Sequence, residues 1–71
     1  MYKIVYKTAF NELETDKAET EEEIKECLES RKLLTKHLGY PIREVGEGFD
    51  LFKSKESQVV MGHYRIVEDN D

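Results

Sequence analysis

This chain of 71 residues has few of the residues that crosslink or stiffen a small protein: one cysteine, one proline and no tryptophan. A single thiol excludes both an internal disulfide and a cysteine-based metal cluster within one chain. It also favours a reducing, intracellular compartment, so we expect a cytoplasmic protein. Without such crosslinks, a chain this short lies near the lower size limit for a stable hydrophobic core.

Long apolar runs are also missing. No run approaches the roughly 20 residues of a membrane span, and the first ten residues lack the apolar centre and cleavage site of a signal peptide. Charged residues make up 38% of the chain, which by itself favours disorder, but regular apolar periodicity and four Tyr plus three Phe favour a folded domain. We therefore predict one domain over residues 1–67, an acidic tail at 68–71 and no membrane partner.

The strongest local pattern is a helix with recognisable ends. Thr20 and Glu23 have the spacing of a capping box, while Gly39 and Pro41 are typical of a helix end. These residues predict a helix over 21–38. Winding it at 3.6 residues per turn places an apolar stripe on one side, formed by Ile24, Cys27, Leu28, Leu34 and Leu38.

Two residues do not fit that stripe. Arg31 falls near its middle, so its side chain is expected either to extend past the core edge or to pair with Glu29, Glu44 or a carboxylate of the sheet. Leu33 falls on the opposite side and is expected to be exposed, as part of a small apolar patch or as an ordinary surface residue.

Four segments have the patterns of strands or extended chain. Residues 2–10 and 59–67 alternate apolar and polar side chains, which predicts strands. Residues 49–54 predict a third strand, and 42–45 a short strand or extended link. The two glycines of 46–48 predict a turn.

Residues 11–19 are polar without a clear period, and we predict a loop that crosses from the first strand to the helix. The element order is then β-α-(β)-β-β. If the first strand pairs with the last, the sheet is small and antiparallel. The fold class is therefore α+β, in two layers, with one helix packed on one face of the sheet.

The sheet face away from the helix is the first candidate binding surface. It is predicted to carry basic, apolar and aromatic side chains: Lys3, Val5, Lys7, Phe52, Met61, His63 and Arg65. A protein partner or a second copy of the chain would cover such a face. Alternatively, cations and an aromatic ring are the groups that bind single-stranded nucleic acid.

The helix surface is the second candidate. Residues 12–29 hold nine acidic and two basic side chains, and Glu21, Glu22 and Glu26 with Leu33 are its candidate contacts. Carboxylates here would fit a basic cleft of a partner, or would simply be solvated and favoured by the helix dipole.

No catalytic, metal-binding or cofactor-binding motif is present, and we predict no catalytic residue, metal or cofactor. His37 and Cys27 fall on different sides of the helix, which disfavours a shared metal site. The sequence thus predicts a small acidic binding domain that is not an enzyme. A concave pocket lined by His63 and two carboxylates would instead indicate an enzyme.

Overall fold

The computed structural model describes residues 1–57 and 59–68 and shows an antiparallel sheet with one helix on one face. The elements are β1 (Tyr2–Lys7), β2 (Glu12–Ala18), α1 (Glu21–His37), β3 (Ile42–Val45), β4 (Gly48–Phe52) and β5 (Val60–Glu68). The five strands lie in the order β2-β1-β5-β4-β3. The predicted two-layer α+β class is confirmed, including the pairing of the first strand with the last. No helix in the described part of the chain is both long and apolar enough to cross a membrane.

The predicted loop at 11–19 is wrong, because most of it forms the edge strand β2. Thr8 begins a tight turn: its backbone N–H donates to the Asn11 carbonyl at 2.8 Å, and β2 then pairs along β1. Most β2 side chains are exposed. The sequence of this strand therefore does not alternate between apolar and polar residues, and periodicity could not predict it. Charged side chains on an edge strand also discourage pairing with other chains.

The predicted helix is confirmed with nearly the predicted bounds. The Thr20 hydroxyl accepts from the Glu23 backbone N–H at 3.2 Å and donates to the Glu23 carboxylate at 3.0 Å, which completes the capping box. Gly39 has a φ of 92° just after the helix, a conformation that glycine adopts without strain. Local chemistry therefore sets both ends of α1.

The core lies between α1 and the centre of the sheet. Its fully buried members are Ile4, Ile24 and Phe49, with Leu28 nearly so. Tyr64 extends this core, because its ring stacks on Phe49 with the two centroids 4.8 Å apart. The apolar side chains in the first half of α1 thus cover the middle of the sheet, where β5 lies between β1 and β4.

The second half of α1 does not follow the predicted apolar stripe. Leu34 and Leu38 are 52% and 64% exposed, whereas Lys32 and Thr35 are buried. Lys32 Nζ lies between the carboxylates of Glu29 and Glu44. Residues 24, 28, 32 and 35 also have helical spacing, and this rotation of the helix places Lys32 beside both carboxylates.

Arg31 pairs with a carboxylate of the sheet, one of its predicted alternatives. Its Nε donates to Asp16 Oδ2 at 2.9 Å, and this hydrogen bond raises the pKa of the guanidinium. Asp16 belongs to β2, the strand that sequence patterns missed. The ion pair therefore joins α1 to the edge of the sheet.

Gly62 interrupts the apolar alternation of residues 59–67, which predicts a bulge or a close approach of the helix backbone. The bulge is confirmed beside it, because Leu51 pairs with Gly62 and Phe52 with Val60, and Met61 is passed over in the β4–β5 register. A Cβ at Gly62 would lie 2.4 Å from atoms of the Tyr6 ring, so this ring occupies the space next to the glycine. Of the predicted tail, Glu68 ends β5 and residues 69–71 lie outside the described residues.

Candidate functional site

The sheet face away from α1, here called the outer sheet face, carries the predicted residues. Val5 and Lys7 on β1 are cross-strand partners of Arg65 and His63 on β5. The same face receives Lys3 from β1, Phe52 from β4 and Met61 from β5. Alternation along the three strands therefore brings the predicted side chains to one surface.

One row of charged residues crosses all five strands of this face. Successive cross-strand partners are Glu12, Lys7, His63, Asp50 and Arg43. Side chains at directly opposite positions have Cβ atoms about 4.5–5.5 Å apart. In this transverse row, each acidic side chain lies beside a basic side chain or a histidine.

Asp50 is the centre of the row and was not among the predicted site residues. It is only 2% exposed, although it lies on the face without a helix. Asp50 Oδ1 accepts from His63 Nδ1 at 2.7 Å and from Arg65 Nη2 at 2.8 Å, and Oδ2 accepts from Arg43 Nη2 at 2.9 Å. Burial would raise the pKa of this carboxyl, but the three hydrogen bonds hold it well below its ordinary value.

The cations around Asp50 are themselves held in place. Arg65 Nη1 donates to the carbonyl oxygens of Tyr64 at 2.9 Å and Phe49 at 3.3 Å. The Arg43 guanidinium lies over the Phe52 ring, 5.6 Å from its centroid. Because an ionised Asp50 only accepts hydrogen bonds, His63 Nδ1 carries a proton and its Nε2 is left for other contacts.

Charges at the other edge of the outer sheet face are paired as well. Lys3 Nζ and Lys17 Nζ lie 3.8 Å and 3.4 Å from Glu14 Oε1. Each exposed pair stabilises the fold only weakly. Together with the Asp50 contacts, however, they neutralise much of the charge within the face itself.

A shallow depression of about 410 Å³ lies on the β2, β1 and β5 part of this face. It is lined by Val5, Lys7, Glu12, His63, Arg65 and Val67. Its lining thus includes His63 and one carboxylate, Glu12, and the His63 ring is bonded to Asp50 through Nδ1. Two valines together with Lys7, Glu12, His63 and Arg65 form a lining that suits an amphipathic side chain of a ligand.

The structure does not bring the predicted helix contacts together. Glu21, Glu22 and Glu26 are exposed on the first half of α1, and Glu21 pairs with Lys25 at 3.1 Å. Leu33 is 66% exposed but lies seven residues beyond Glu26, about 10 Å along the axis.

Residues that could hold a metal are dispersed. Within residues 1–57 and 59–68, no three His, Cys, Asp or Glu side chains form a group suited to a metal ion. Cys27 packs partly buried against the core, whereas His37 is exposed.

Comparison with known proteins finds no relative of this chain. No protein-family model, curated protein or solved structure matches the chain. The assignment of the site therefore depends on the geometry and charge of the outer sheet face.

Proposed function

We propose that this chain is a non-enzymatic domain that binds another protein through its outer sheet face. The observation that carries the proposal is the Asp50 cluster, in which one buried carboxylate orients Arg43, His63 and Arg65. Protein interfaces are enriched in arginine, methionine and aromatic residues, and their centres are depleted of free charge. The single thiol of Cys27 supports a cytoplasmic setting.

Apolar side chains beside this cluster supply the surface that a partner would bury. Met61 and Val67 are each 40% exposed, and Val5 and Phe52 are half-buried. Burial of apolar area provides the main free energy of association. Fixed arginines next to such side chains form a contact that loses little conformational entropy on binding.

Single-stranded nucleic acid is the alternative ligand for Lys3, Lys7, Phe52, His63 and Arg65. Its binding requires cations that release counterions from phosphates and rings that stack on bases. Here Lys3 lies beside Glu14, and His63 and Arg65 are engaged by Asp50. A face of the Phe52 ring is covered by an arginine. These contacts favour a protein ligand.

A photo-crosslinking amino acid at position 67, tested in the source cell, would identify the partner. The matched control carries the same group in place of Glu22, an exposed residue on α1. We expect one defined protein to be crosslinked from position 67 but not from position 22, and the product to vanish when Met61→Asp is added.

Other outcomes of this experiment separate the alternatives. A product of twice the chain mass would identify a second copy as the partner. Crosslinking to nuclease-sensitive material, with salt-dependent binding that Phe52→Ala plus Arg65→Ala abolishes, would support nucleic acid instead. Equal products from positions 67 and 22 would contradict binding through the outer sheet face.

A further inference from the structure

The transverse row has an order of charges that is reversed about its centre. His63 lies at this centre, on β5, which is the middle strand of the sheet. One strand out, Lys7 on one side corresponds to Asp50 on the other. Two strands out, Glu12 corresponds to Arg43. Each charge of the row therefore has the opposite charge at the same distance on the other side of β5.

This order makes the row complementary to a second copy of itself. Half a turn about an axis that runs along β5, between the two faces, places Glu12 of each copy over Arg43 of the other. A two-fold axis across the strands would instead place Glu12 over Glu12 and Arg43 over Arg43. A symmetric dimer uses the same patch on both chains, and opposite charges across an interface fix its arrangement. The row thus favours a two-fold axis along β5.

The two outer charges of the row can make these contacts. Glu12 is exposed on the edge strand β2, and the Arg43 side chain is 64% exposed on the other edge strand, β3. Within residues 1–57 and 59–68, Glu12 forms no salt bridge. Arg43 bonds Asp50 through Nη2, which leaves other N–H groups of its guanidinium for a second carboxylate. Asp50 is only 2% exposed, so the outer pair carries the charged contacts.

Apolar side chains lie along the same axis. Met61 and Val67 stand on either side of His63 along β5 and are each 40% exposed, so each would pack near its own copy. Arg65 also belongs to β5, but its guanidinium bonds Asp50 and two backbone carbonyl oxygens, which turns its charge towards β4. The outer sheet face therefore combines apolar side chains near the axis with opposite charges on its two sides.

We propose that the partner bound by the outer sheet face is a second copy of this chain, in a symmetric dimer whose sheets pack face to face. This assignment rests on the proposed function and names its partner. Sheets packed in this way lie about 10 Å apart, a gap that glutamate and arginine side chains span from both sides. Five strands about 4.8 Å apart make the face about 19 Å wide, near the small end for a specific interface. We therefore expect a reversible dimer with a dissociation constant on the order of 10 µM.

Charge reversal at the two ends of the row tests this dimer by sedimentation equilibrium of the whole chain. Glu12→Arg places a cation over Arg43 of the other copy, and Arg43→Glu places an anion over Glu12. Each variant alone should therefore raise the dissociation constant at least about tenfold. An equimolar mixture of the two variants should dimerise as tightly as wild type, because both outer pairs are then opposite in charge again.

Glu22→Arg is the matched control, since it makes the same change in net charge at an exposed position of α1, away from the outer sheet face. The chain carries a net charge of −5, so this change reduces the repulsion between copies and should not weaken the dimer. Glu12→Arg changes the net charge equally, and a weakening there isolates the local contact. Because Glu12 is exposed on an edge strand, this comparison decides the outcome even if circular dichroism shows that Arg43→Glu is unfolded.

Three results would overturn the proposal. These are a wild-type chain that stays monomeric at about 1 mM, equal dissociation constants for Glu12→Arg and Glu22→Arg, and a mixture of folded single variants that dimerises no better than either alone.

The crosslinking experiment separates this failure from a failure of the proposed function. A product of twice the chain mass, formed from position 67 but not from position 22, supports the dimer. A monomeric chain that crosslinks a different protein from position 67 would keep the outer sheet face as the binding surface and overturn only the second copy as its occupant.

Discussion

Replacing Asp50 with asparagine removes one charge from the outer sheet face and keeps the shape of the side chain. In the native protein the Asp50 carboxylate accepts hydrogen bonds at 2.7, 2.8 and 2.9 Å from three basic side chains. Asparagine can accept at one oxygen only, and its amide group would point a donor at a cation. The variant therefore isolates the contribution of the buried charge.

The loss of stability depends on how deeply Asp50 and its three hydrogen-bond donors are buried. Removing one partner of a fully buried ion pair costs about 3–5 kcal/mol. Here Asp50 is buried, but the side chains of Arg43, His63 and Arg65 are 64%, 41% and 38% exposed, so water can solvate the released side chains. We expect Asp50→Asn to lower the free energy of unfolding by about 2 kcal/mol at neutral pH, a large fraction of the total for a small domain.

The direction of the pKa shift of Asp50 determines how its contribution to stability changes with pH. The pKa of Asp50 is lower in the folded protein than its ordinary value of 3.8, so the folded state binds the proton more weakly than the unfolded state. Its stabilisation is complete well above pH 4 and is lost as the pH falls below that value toward the folded pKa. The difference between wild type and Asp50→Asn should thus be smaller at pH 3 than at pH 5.

Urea unfolding followed by circular dichroism measures this difference. Glu14→Gln is the matched control, because Glu14 is a more exposed carboxylate on the same face with two lysines nearby, and its loss should change stability by less than about 0.5 kcal/mol. The reasoning is refuted if the two variants lose equal stability, or if the Asp50 difference is unchanged between pH 5 and pH 3.

Three further changes test the fold. Gly48→Ala should destabilise by about 3 kcal/mol or more, because its Cβ would lie 1.8 Å from the Tyr64 carbonyl oxygen. Thermal unfolding measures this change, and a change within error would contradict the strand pairing. Ile24→Ala should cost about 2–5 kcal/mol and the half-exposed Leu34→Ala much less, by urea unfolding; similar losses would contradict the helix orientation. Thr20→Ala should cost about 1 kcal/mol through loss of the cap, seen as a lower urea midpoint, and no loss would mean that the cap is unimportant.

The helix ends and the well-patterned strands were predictable because local chemistry determines them. Thr20 and Glu23 carry the capping box within four residues, and Gly39 supplies the conformation that ends the helix. Strand β2 was missed because an exposed edge strand needs only backbone hydrogen bonds, and these leave no apolar pattern in its residues.

The outer sheet face was partly predictable. Alternation predicted that Lys7, His63 and Arg65 share one face. Asp50, two positions before Phe52 in β4, lies on the same face but was not among the predicted residues. The only sign of a role for Asp50 in the sequence was its position as a lone acidic residue between Phe49 and Leu51. Its role depends on hydrogen bonds from Arg43 and His63, which lie on two other strands.

The sequence by itself determined the helix and the strands other than β2, because capping, periodicity and turn residues act over a few positions. Only the tertiary structure decided the register that aligns Glu12, Lys7, His63, Asp50 and Arg43, since cross-strand neighbours are distant in the chain. It also decided the rotation of α1 that buries a lysine and exposes leucines. Two stripes of helical spacing were available, and the one that the fold buries carries Lys32, which meets Glu44 far along the chain.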